Sequence, residues 1–174
     1  MKNIHLFAIF IYILISSCSS EKLDREKAFQ LIKENRHYPK AAPYYIFTAD
    51  PKFARKMLDA GLEDDGMLKI TRTQKLSEVG NPLIGFTDKA KPYLLETSEK
   101  DRADKIQLVK LADENLEEIT GIQMLDGDKK AVVEYTTSYK NPTPFAVLAE
   151  HRLKEKKEKI ANFSLYDDGW RLED

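Results

Sequence analysis

The chain has 174 residues, with 28 Lys and Arg against 29 Asp and Glu, a formal net charge of −1, and one cysteine. The near balance of charge excludes the basic excess of a nucleic-acid binder. A hydrophobic content of 42% excludes a disordered chain, and a single cysteine excludes an intramolecular disulfide. The length suits one domain, or two small ones sharing a core, and it can bury that core without disulfides.

In chain order the first feature is an apolar run, Leu6 to Ile15 ("LFAIFIYILI"), after the basic start Met1-Lys2-Asn3. A membrane-crossing helix takes about 20 apolar residues, so this run is too short. It matches the apolar core of a secretory signal, about 7–15 residues. The window "ISSC" follows, at Ile15 to Cys18. It resembles the lipobox of bacterial lipoproteins: an aliphatic residue, two small residues, then cysteine. The resemblance implies that a signal peptidase reads Ile15, Ser16 and Ser17, that residues 1–17 are removed as a signal peptide, and that Cys18 carries the lipid. The lone cysteine is then an anchor rather than a disulfide partner or a nucleophile. Residues 18–23 form the lipidated tether. At up to ~3.5 Å per residue it reaches on the order of 20 Å, which keeps the folded part close to the membrane. Ser19 stands where an aspartate would alter sorting, and this resembles outer-membrane lipoproteins if the cell is Gram-negative.

Asp24 to Asn35 reads as a helix capped by Asp24, with Ala28, Leu31 and Ile32 as its apolar stripe and Phe29 at the flank. Pro39 and Pro43 are expected to break the chain, and Tyr44 to Phe47 to form a strand. Asp50-Pro51 starts a second helix, because aspartate accepts from free amides and proline fits the first turn. Phe53, Ala54, Met57 and Leu58 share its face. Gly61 ends it in the left-handed region, with Leu62 folding back. Met67 to Arg72 and Leu83 to Phe86 read as strands. Thr87 is expected to cap a short helix from Asp88 to about Leu95, cut short by Pro92.

Beyond a composition shift at Thr97 to Lys105, strands dominate. Ile106 to Leu111, Leu116 to Leu125, Lys129 to Tyr139 and Ile160 to Tyr166 are expected as separate strands. Asp126-Gly127 and Asp168-Gly169 mark hairpin turns, the second leading to a strand at Trp170 to Glu173. Alternation puts Ala131, Val133, Tyr135 and Tyr139 on one face and Val132, Glu134 and Thr136 on the other. Phe145 to Lys159 reads as helix or strand, and "KEKKEK" as solvent-exposed. The expected fold class is α+β: a mixed part with helices and short strands over 24–100, then an antiparallel, curved sheet over 101–174. The two parts are candidates to share one core.

The order helix, strand, capped helix, two-stranded wing over about residues 24–95 resembles a winged-helix arrangement. Such domains often bind DNA, and Lys52, Arg55 and Lys56 hold the corresponding positions. Export and the slightly negative charge argue for a structural or protein-binding use instead. The strand ending in Trp170-Arg171 resembles the curved sheets of cystatin-like and nuclear transport factor 2-like lipoprotein domains. That resemblance implies a concave sheet that binds peptides or small molecules.

Side chains for chemistry are few. His37 and His151 lack a partner cysteine or an HExxH pattern, so no zinc ligand set is expected. Asp126 and Asp128 lack the remaining ligands of a calcium loop, and Asp167-Asp168 and Glu63-Asp64-Asp65 read as turns. No nucleophile elbow or phosphate loop is present. Trp170, Tyr135 and Phe163 are expected in the core, and "NFS" at Asn162 as a chance glycosylation triplet. No catalytic residue, metal or cofactor is therefore expected. The expected function is that of a lipid-anchored envelope protein that binds another envelope protein through exposed aromatics such as Tyr44, with the membrane as its other partner. The alternatives are a small-ligand or peptide pocket between the sheet and the first helix, and an envelope enzyme.

Overall fold

A computed structural model describes residues 22–173. The expected signal peptide, with Ile15, Ser16, Ser17 and Cys18, and the expected tether up to Glu21 lie outside the described residues. The fold is α+β: helices pack on a curled, antiparallel five-stranded sheet with the form of a half-barrel.

Helix α1 (Arg25–Asn35) is capped as expected, with the Lys27 amide donating to Asp24 Oδ1 at 2.8 Å. Ahead of it Leu23, the last residue of the expected tether, is buried in the core. Strand β1 (Lys40–Phe47) is longer than expected and runs straight through Pro43. Proline survives there because β1 is an edge strand and its register shifts between Ala42 and Pro43, so a missing N–H need not break the ladder.

Helix α2 (Pro51–Asp59) has its Lys52 amide donating to Asp50 Oδ1 at 2.7 Å. Gly61 follows at φ +72°, and the Leu62 amide returns to the Met57 carbonyl at 3.2 Å. Strands β2 (Leu68–Ile70) and β3 (Ile84–Phe86) form a separate two-stranded sheet. The expected cap at Thr87 is absent. Its hydroxyl instead donates to the Gly66 carbonyl at 2.7 Å, and residues Asp88–Tyr93 form a 3-10 helix around Pro92. Helix α3 (Glu99–Ala103) occupies the stretch read as a boundary.

The largest correction concerns β4 (Ile106–Leu125), one strand of 20 residues where two were expected. Register shifts at Leu116/Glu118 and Ile119/Gly121 keep it paired with β5 (Lys130–Lys140) while it bends. Such bulges add local twist. The turn between them spans residues 126–129, with Asp126, Gly127 and Asp128 all at positive φ. A 3-10 helix at Pro144–Ala149 and α4 (Glu150–Leu153) settle the ambiguous segment. Strand β6 (Lys157–Tyr166) begins inside "KEKKEK", and β7 (Gly169–Glu173) closes the order β1-β4-β5-β6-β7.

Buried side chains gather in two clusters. One joins Ile46, Met57, Leu62, Leu68, Val109, Leu111 and Phe145; the other joins Leu23, Ala28, Ile32, Ile119, Val133, Phe163 and Trp170. Each contains residues from before and after the Thr97–Lys105 stretch, and β1 pairs with β4 across it. Each fully buried aliphatic or aromatic side chain contributes about 1.5–3 kcal/mol. Trp170, Tyr135 and Phe163 are core residues, as expected.

Candidate functional site

Antiparallel pairing determines which side chains meet. Ala131, Val133, Tyr135, Thr137 and Tyr139 alternate onto one face of β5. Opposite them on β6 stand Phe163, Ala161, Lys159 and Lys157, in register with Ala131, Val133, Tyr135 and Thr137. On β4, Glu114 stands opposite Tyr139, with Lys40 of β1 beyond it. Residues directly opposed across a ladder share a face. This face is therefore apolar at one end, where α1 packs, and polar at the other.

Ala28 and Ile32 fill the interface of α1 with the sheet, both 0% exposed. The recess beside it, between Phe29, Lys33 and Leu116, holds only 170 Å³, small against the 300–1,000 Å³ of ligand pockets. Beyond α1 the polar end opens into a groove of 560 Å³. Its floor and walls include Glu114, Tyr139, Lys157 and Lys159 from the sheet, Tyr45 and Phe47 from β1, Phe53 from α2 and Arg152 from α4.

Glu114 is the hub. Its side chain is 9% exposed and pairs with Lys159 Nζ at 2.5 Å, while the Thr137 hydroxyl donates to the same oxygen at 3.0 Å. Burial pushes the Glu114 carboxyl up, but the hydrogen bonds from Lys159 and Thr137 and the charges of Lys159 and Lys40 outweigh it, so the group sits below its ordinary value. Lys159 also reaches the Tyr38 hydroxyl at 3.3 Å. Tyr38 is hydrogen-bonded to Tyr135, whose phenol is pushed up to about 12, first by burial and then by that bond. Burial likewise lowers Lys40, with Lys159 and Arg36 adding to the effect and Glu114 opposing it.

The balance of charge is positive. Lys159 neutralises Glu114. Arg152 and Lys157 have no carboxylate partner among the described residues, Lys40 faces the already paired Glu114 across the ladder, and the Arg36 Nε atom is buried without a hydrogen bond. Two of these cations lie over aromatic rings: Lys157 over Tyr139 at 5.2 Å and Lys40 over Tyr38 at 4.7 Å. On the rim, Tyr45 and Phe47 are 49% and 41% exposed, with Ile46 between them at 0%. Phe47 also meets Phe53 at 5.2 Å between centroids.

Several expectations change here. Tyr44 turns toward the first cluster and its hydroxyl accepts from Lys56 at 2.6 Å, so the exposed aromatics are its neighbours Tyr45 and Phe47. "KEKKEK" is not wholly solvated, because Lys157 and Lys159 are half-buried in the groove. Extending the inward pattern of Phe163 and Ala161 back by twos would have found both. Glu114 carried no such signal. Lys52 and Arg55 lie exposed on α2, and Arg55 pairs with Asp59 at 2.9 Å. His37 follows α1 at φ +54° and His151 lies on α4. No group of three or more His, Cys, Asp or Glu side chains is placed to hold a metal among the described residues. No helix among them is long and apolar enough to cross a membrane. Comparison with protein families, with curated proteins and with solved structures finds no match to this chain.

Proposed function

We propose that the protein is a lipid-anchored interaction module of the bacterial envelope, held at Cys18 and presenting the basic, aromatic groove to another envelope protein. The observation that carries this reading is the pair Tyr45 and Phe47, exposed side by side on an edge strand at the rim of an open groove. Exposed aromatics with nearby cations are the residue types enriched in protein interfaces. A small-ligand carrier would favour a closed apolar cavity, and the 560 Å³ groove is open and charged.

The fold supports the anchored orientation. Leu23 is buried, so only Ser19 to Lys22 span the distance from lipid to core, about 14 Å at full extension. Arg25 donates through Nη2 to the Thr120 carbonyl at 3.1 Å, which fixes the start of α1 toward the Leu125 end of β4. Tyr45 and Phe47 pair with Leu108 and Ile106, at the far end of the same strand. Eleven to thirteen strand residues lie between, roughly 35–40 Å of contour. The aromatic rim thus faces away from the bilayer, with outer-membrane placement expected in a Gram-negative cell.

The test is site-specific photocrosslinking in intact cells. A photoreactive residue at Tyr45 or Phe47 is expected to give the same discrete adduct, and one at Ile160, exposed on the opposite side of β6, to give none. Cys18→Ser is expected to leave the chain unprocessed and unlipidated. Adducts of equal pattern from all three positions, or normal processing and membrane retention of Cys18→Ser, would sink the reading.

A further inference from the structure

The groove carries more positive charge than it neutralises, and that excess specifies the partner's chemistry. Glu114 is occupied by Lys159 and Thr137. Lys157 and Arg152 line the groove with no carboxylate of their own among the described residues. Beside these cations stand the exposed rings of Tyr45 and Phe47.

We propose that the groove binds an acidic, extended segment of its partner protein. Carboxylates of the segment pair with Lys157 and Arg152, and an aromatic or aliphatic side chain of the segment rests on Tyr45 and Phe47. This proposal depends on the interaction-module reading above and adds the partner's chemistry to it. Side chains rather than a backbone ladder hold the segment. Strand addition to β1 is opposed by Pro43, which has no N–H to offer, and by the register shift beside it. Anionic lipid headgroups are the less fitting occupant, because the rim lies at the end of β4 away from the anchored start of α1.

The full chain, purified in detergent, is titrated against a fluorescent decapeptide of alternating glutamate and tyrosine, read by anisotropy. Its twin carries glutamine for glutamate. The acidic peptide is expected to bind at least about tenfold more tightly, because charge-assisted hydrogen bonds are roughly twice as strong as neutral ones. Its affinity is expected to fall as salt rises. Lys157→Gln and Arg152→Gln each lower affinity by roughly fivefold to tenfold, while Ile160→Ala leaves it unchanged. Both charge variants are at partly or fully exposed positions, so the fold is kept, and circular dichroism checks it. Equal affinity for the two peptides overturns the proposal. So does acidic binding that neither variant weakens, or stronger binding to phosphatidylglycerol vesicles that depends on the same two residues. If the Tyr45 and Phe47 crosslinks form but the acidic peptide does not bind, the interaction module stands and the acidic chemistry falls. If the crosslinks are also absent, both fall.

Discussion

Removing one charge from the centre of the groove tests the network most directly. Glu114→Gln keeps the size of the side chain and an oxygen for the Thr137 hydroxyl, now 3.0 Å away. It deletes the negative charge that Lys159 and Lys40 face. Breaking a fully buried ion pair costs about 3–5 kcal/mol because the surviving charge is stranded. Lys159 is 30% exposed and can turn toward water, so the expected loss is smaller, about 2 kcal/mol. For a chain of this size that lowers Tm by roughly 4–8 °C, measured by circular dichroism. The pH dependence follows from the sign of the shift. The carboxyl sits below its ordinary value in the folded state, so its contribution is complete above the unfolded carboxylate range and is lost as pH falls through the folded value. The gap between wild type and variant is therefore full near neutral pH and closes below about pH 4. Adding Lys159→Met to Glu114→Gln should recover part of the loss, since the stranded cation is gone. An unchanged Tm at neutral pH, or a gap that persists undiminished in acid, would refute this account of the hub.

Other consequences can be measured as simply. Burial pushes the Tyr135 phenol up to about 12, so Tyr135→Phe should remove phenolate absorbance only at the alkaline end of a titration; a loss near pH 10 would contradict its burial. Ile32→Ala empties a site that is 0% exposed and should cost about 3 kcal/mol in urea unfolding, and a cost below about 1 would mean that α1 is loosely seated. Asp24→Ala removes the 2.8 Å cap on the Lys27 amide and should cost about 1 kcal/mol, whereas Asp24→Asn should restore most of it.

Local chemistry made the helices legible. Asp24, Asp50-Pro51 and Gly61 each act within a few residues, and each lies where the sequence places it. The antiparallel sheet was legible from alternation in "AVVEYTTSY" for the same reason, whereas its curvature was implied only by the resemblance of the strand ending in Trp170-Arg171. The groove was not. Glu114 interrupts the apolar pattern of β4 at "ADEN", and a carboxylate there reads as solvent, because its partner Lys159 is 45 residues away. The two bulges shift the period again, so one strand of 20 residues reads as two. Lys157 and Lys159 were hidden in a run of charge whose alternate members point in opposite directions. Pro43 was read as a break because its edge position depends on β4, which lies far downstream.

The connection from α1 into β1 has a mechanical consequence. A pull on the tether enters the chain at Leu23, passes along α1 and reaches β1 at Lys40. A partner on Tyr45 and Phe47 would resist at the other end of the same short strand. Tension between the proposed anchor and the proposed partner would then run along β1 itself, parallel to its pairing with β4 from Lys40↔Glu114 to Phe47↔Ile106. Both points of load lie on one covalent strand, so the tension passes along its backbone while the ladder bonds, which lie across that direction, hold the strand in place on β4. Under the proposed anchoring at Cys18 and the proposed docking, β1 would act as a tendon between anchor and grip.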